Sequence, residues 1–121
     1  MIANEEFFAS EGILAIGVFR PHAGMEQDCL STLKLLYQVI RRKKYGRDLL
    51  LRDPKDGCWI AVRFWASEEA RSEAQHDPEV LRLWERLGHL CSVEKVRESL
   101  EIIETDETSE PPVDNRVNKK A

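Results

Sequence analysis

The chain predicts one α+β domain: a four-stranded antiparallel sheet with helices on one face, in the order strand, helix, strand, strand, helix, strand. Three observations carry that expectation. Short runs rich in β-branched and aromatic residues alternate with longer stretches of helical period. Turn and capping residues stand where the period changes. The 121 residues, 42% hydrophobic and 33% charged, suffice for a single core without staples.

Residues 13–20 (ILAIGVFR), between Gly12 and Pro21, read as a buried strand. From about Gly24 the period becomes helical, with Met25, Cys29, Leu33, Leu36, Tyr37 and Ile40 on one face. Acidic residues in its first turn and Arg41, Arg42, Lys43 and Lys44 in its last complement the helix dipole, and Gly46 is the expected stop. Residues 48–52 form a second strand. The DPKDG turn at 53–57 then leads into a third at 58–65 (CWIAVRFW), making a hairpin. Ser67 caps the next helix, and Asp77-Pro78 restarts it, so the helical region to about Cys91 is broken near Pro78. Residues 93–103 fit a helix through Val96, Leu100 and Ile103, or a half-exposed strand through Val96, Leu100 and Ile102. Topology favours the strand.

This order is the split βαβ pattern of ferredoxin-like folds, whose right-handed crossovers place both helices on one face. The third strand is nevertheless apolar on both faces, Ile60, Val62 and Phe64 against Trp59, Ala61, Arg63 and Trp65. The first strand repeats this. One face therefore needs a cover other than the helices, and a second copy of the chain is the economical one. The expectation is a homodimer through the sheet, with the face of Trp59, Ala61, Arg63 and Trp65 at the interface.

A net charge of −4 argues against a general nucleic-acid binder. The basic run 41–44, with Arg47, reads as a solvated helix end. No apolar run reaches membrane-spanning length, and residues 1–12 do not read as a signal peptide. Cys29, Cys58 and Cys91 form no pair or zinc pattern and read as buried free thiols of a cytoplasmic protein. The expected layout is an N-terminal extension (1–12), the domain (13–103) and a polar, disordered tail (104–121).

Residues 64–87 (FWASEEARSEAQHDPEVLRLWERL) resemble the strand-to-helix signature of the antibiotic biosynthesis monooxygenase domain, of the dimeric α+β barrel superfamily. Trp65, Ser67, Glu69 and Ala70 match its Trp-x-Ser-x-Glu-Ala turn, and the element order matches over residues 13–103. The resemblance implies a strand for the last segment and a monooxygenase-like oxidoreductase domain. Within that family are cofactor-independent oxygenases of polycyclic phenols and haem-degrading enzymes. Haem degraders carry an Asn, a Trp and a ligating His at positions that align with Gly17, Ala74 and Trp84 here. All three depart, so haem chemistry is not implied and no catalytic set carries across.

Candidate site residues follow from chemistry. Arg63, mid-strand between tryptophans, reads either as an anchor for an anionic or phenolate ligand or as half of an ion pair, with the pair favoured. Arg20 admits the same two readings. Tyr37, Trp65 and Trp84 are candidate walls of an aromatic pocket, and equally core. His22, His76 and His89 are candidate bases by residue type but have no identifiable partner, and their spacing makes no metal site. The leading reading is a monooxygenase-like domain oxidising an aromatic or polyketide-like molecule without cofactor or metal. The alternatives are a non-catalytic dimeric binding protein and a ligand-sensing module, the latter weakened by the lack of a helix-turn-helix in the sequence.

Overall fold

A computed structural model describes residues 13–103. The proposed extension and tail lie outside the described residues. The strands are β1 (Ile13–Pro21), β2 (Gly46–Arg52), β3 (Trp59–Trp65) and β4 (Cys91–Glu101); the helices are α1 (Glu26–Arg42), α2 (Glu68–Ala74) and α3 (Pro78–Gly88). The sheet runs β2-β3-β1-β4, with each neighbouring pair antiparallel. This is the ferredoxin-like α+β fold, and the ambiguous last segment is a strand.

Local chemistry sets the boundaries. Helix α1 carries Glu26 and Asp28 in its first turn and Arg41 and Arg42 in its last, as its dipole favours. Its turn is made by Lys44 in the left-handed region (φ 62°), not by Gly46, which already belongs to β2. Ser67 Oγ accepts from Ala70 N at 3.0 Å and starts α2. Asp77 starts α3, accepting from Glu79 N at 2.9 Å, with Pro78 at the first helical position.

Asp77 does more than cap. Its Oδ2 also accepts from Lys43 Nζ at 2.8 Å and Tyr45 Oη at 2.7 Å, tying the break between α2 and α3 to the connection between α1 and β2. Those donors, Lys43 foremost and then Tyr45, hold its carboxyl well below the usual carboxylate range. A depressed folded-state value contributes stability above the unfolded value of about 4, and this is lost as pH falls through the folded value. Asp77→Ala is expected to lose about 1–2 kcal/mol at pH 7. Urea titrations should show that deficit narrowing only below about pH 4.

The core lies between the helices and one face of the sheet. Leu36, Val39 and Ile40 of α1 pack with Val80 of α3, Ala74 of α2 and Trp65 of β3. A second cluster joins Phe19, Cys29, Leu33 and Cys91, with Trp59 and Ala61 against it. The face of Trp59, Ala61, Arg63 and Trp65 is therefore the helix-covered one, contrary to the sequence expectation. Trp65 is 4% exposed. The open face carries Leu14, Ile16, Val18, Leu49, Leu51, Ile60 and Val62, as the register requires. The two strands are apolar on both sides, so alternation alone could not say which side the helices took.

Candidate functional site

Beneath the helices the sheet floor is built from small residues. Ala15 and Gly17 of β1 and Ala61 of β3 face the helical layer, while α1 and α3 supply Leu36, Tyr37, Trp84 and Leu87 above. A Cβ added at Gly17 would meet only Lys95 O at 3.9 Å, so space rather than backbone geometry marks that position. Small floor and bulky roof do not close on each other, leaving a pocket of about 390 Å³. That is within the size range of small-molecule sites.

One side of the pocket is polar. Register sets Asp48 of β2 directly across from Arg63 of β3, and Arg63 Nε donates to Asp48 Oδ1 at 2.6 Å. Both side chains are buried, 4% and 11% exposed. The guanidinium carbon lies 5.0 Å from the Trp65 ring centroid and 6.0 Å from that of Tyr37, within cation–π range. Burial pushes the Asp48 carboxyl above its ordinary value, with Arg63 opposing. It also raises the Tyr37 phenol, to which the Asp48 charge adds, so Tyr37 stays a neutral hydroxyl at physiological pH.

Three buried side-chain polar atoms among the described residues have no partner: Tyr37 Oη, Asp48 Oδ2 and Trp65 Nε1. All three residues line this pocket. Buried polar groups are normally hydrogen-bonded, at a cost of roughly 1–3 kcal/mol when they are not. The three atoms are themselves closed to water, and together they make the polar side of the pocket wall.

No protein-family model matches the chain, and no curated protein does. Solved structures do. SnoaB, a cofactor-independent oxygenase from Streptomyces nogalater, is 20% identical with a TM-score of 0.64, covering 77% of this chain and 97% of its own. A protein named as a candidate antibiotic biosynthesis monooxygenase from Chloroflexus aurantiacus is 16% identical, TM-score 0.63, covering 78% and 96%. Another so named, from Bacteroides thetaiotaomicron, is 11% identical, TM-score 0.64, covering 77% and 91%. The fold is that of the antibiotic biosynthesis monooxygenases.

On this monooxygenase fold, Tyr37, Arg63, Trp65 and Trp84 come together at the pocket. The exposed His22 and His76 stand outside it: His22 Nε2 lies 3.1 Å from Ser92 Oγ, and His76 Nδ1 2.9 Å from Ser72 O. His89 caps the end of α3, exposed. Arg20 pairs with Glu94 and, at 3.1 Å, with Asp56 on the surface. The three thiols are free and buried. Burial, with Cys91 adding, pushes Cys29 up to about 12, which leaves it unreactive. Asp53, Asp56 and Cys58 bring possible ligand atoms within 4.8 Å of one another at the hairpin turn. There Asp53 accepts from Lys55 N, and Asp56 from Cys58 N and Arg20, which is turn chemistry. Asp48 was absent from the sequence-derived candidates.

Proposed function

We propose that this chain binds an aromatic or polyketide-like small molecule in the pocket beneath Tyr37 and Trp65 and oxidises it with molecular oxygen, without a cofactor. The observation that carries the reading is the set of three unpartnered polar atoms in an apolar-walled pocket. The likeness to SnoaB, a cofactor-independent oxygenase, supports the reaction class. Such chemistry asks the protein to exclude water and to help the substrate lose a proton. Asp48, held by Arg63, is the buried carboxylate placed for that task among the described residues.

The test is a thermal-shift series with phenols, flavins and haem, followed by oxygen uptake on any hit. A phenol should raise the melting temperature and consume oxygen, while flavin and haem do neither. Gly17→Val, which fills the floor, should abolish both effects at unchanged stability. A phenol that binds without oxygen uptake would leave a binding protein, and no phenol shift at all would end the pocket reading.

The homodimer belongs to the same proposal, through the face opposite the helices. Leu49 and Leu51 are 41% and 46% exposed there, beside Val18, Ile60 and Val62. A contiguous apolar patch of this kind is what a twofold interface covers. Val62→Asp is expected to halve the mass measured by light scattering at micromolar concentration. An unchanged mass would show that the face is not the interface. Three buried free thiols support a reducing, cytoplasmic setting. Among the described residues no helix is long and apolar enough to cross a membrane.

A further inference from the structure

Among the described residues the charged groups lining the pocket are Asp48 and Arg63, and they neutralise each other at 2.6 Å. An anionic ligand would therefore meet no net positive charge, and would lie beside the Asp48 carboxylate. The unpartnered atoms also differ in what they can do. Asp48 Oδ2 only accepts, Trp65 Nε1 only donates, and the Tyr37 hydroxyl does either. Filling the pocket with an aprotic aromatic leaves Oδ2 unsatisfied, and filling it with a carboxylate sets like charges together.

We infer that Asp48 is the specificity-determining residue of this pocket, selecting uncharged planar ligands that carry a hydroxyl or N–H donor beside an acceptor, and turning away anions. The inference rests on the pocket reading above and adds the ligand's charge and donor pattern. Of the two roles the sequence offered for Arg63, it keeps the favoured ion pair and sets aside the anion anchor. The guanidinium is committed to Asp48 and to the faces of Trp65 and Tyr37, so it orients the reading carboxylate and does not seize an anion.

The test compares three probes of one shape at pH 7 by calorimetry: 2-naphthol, its methyl ether and 2-naphthoate. The native chain should bind the naphthol about tenfold or more tighter than the ether, the scale of a hydrogen bond to a charged acceptor. Naphthoate should bind weakest. Asp48→Asn replaces the free acceptor and leaves Arg63 unbalanced. It should erase the naphthol advantage and raise naphthoate affinity by about tenfold, as an unopposed cation would. If Asp48→Asn fails to fold by circular dichroism, the paired replacement Asp48→Leu with Arg63→Met removes both charges at similar volume. That variant should bind naphthol and ether equally. Equal binding of all three probes by the native chain overturns the role of Asp48 while the pocket reading stands. Tight naphthoate binding by the native chain overturns it too. Binding of none of the three brings down the pocket reading, and this inference with it.

Discussion

Replacing Arg63 by alanine is expected to cost about 3–5 kcal/mol, because it strips the partner from a buried carboxylate. The Asp48 side chain is 4% exposed and has one oxygen without a partner already. Arg63 opposes the burial of that charge through both its own charge and its hydrogen bond, and the substitution removes both. The pH dependence gives the loss its signature. Burial raises the folded-state value of Asp48 above the unfolded value, so the folded chain binds the extra proton and stability falls as pH rises between the two. The deficit of Arg63→Ala should therefore shrink on acidification from pH 7.5 to pH 5, a window in which that of Asp77→Ala stays constant. Urea unfolding at both pH values measures it. A deficit under about 1 kcal/mol, or one equal at both, would mean that water already reaches the pair.

Gly46→Ala is the second large effect. The sequence suggests Gly46 as a helix stop, where alanine would cost only left-handed backbone strain. Instead Lys44 takes that conformation and Gly46 opens β2. A Cβ at Gly46 would stand 2.4 Å from Phe64 O and 3.1 Å from Trp65 Cα, both main-chain atoms of β3. Strand backbone cannot swing aside as a side-chain tip can. The loss should reach the upper end of the roughly 1–3 kcal/mol of an overpacked core. It should appear as a lowered melting temperature, together with weaker naphthol binding, because Trp65 and Asp48 are placed by this strand pair. A variant melting within a degree of the native chain would show that the two strands can part at that point.

How far the sequence could be read follows from where its signals were redundant. Periodicity, capping residues and the hairpin turn each marked the same elements, so their order was legible. Asp77-Pro78 marked the helix break for the same reason. The choice of sheet face was not legible, because β1 and β3 are apolar on both sides. Strand β4 was ambiguous for a different reason. The segment's apolar residues Val96, Leu100 and Ile103 stand four and three apart, a helical spacing. The pairing with β1 shifts between Leu14 and Ile16, setting Val96 opposite Gly17 and Leu100 opposite Leu14, so strict alternation is broken there. Asp48 was missed because a charged residue near a strand end reads as exposed. The signal that could have found it was the hairpin: the turn at 53–57 pins the register, and counting back sets Asp48 against Arg63.

Asp77 has a further consequence for how the pocket is entered. Helix α3 carries Trp84 and Leu87 over the cavity, and its first turn is fastened to the end of α1 by two acidic residues, Asp77 on Lys43 and Tyr45 and Glu79 on Arg42 and Lys43. The sheet needs none of these bonds. A roof segment held at its first turn by two acidic residues, of which Asp77 is the buried one, is suited to open as its own unit, in a sub-global step well below the free energy of full unfolding. Amide hydrogens of residues 81–88 should then exchange faster than those of β1 and β3, and weakening Asp77 should speed them while the strands stay protected. A residue outside the pocket wall would in this way set the rate at which ligand enters and leaves.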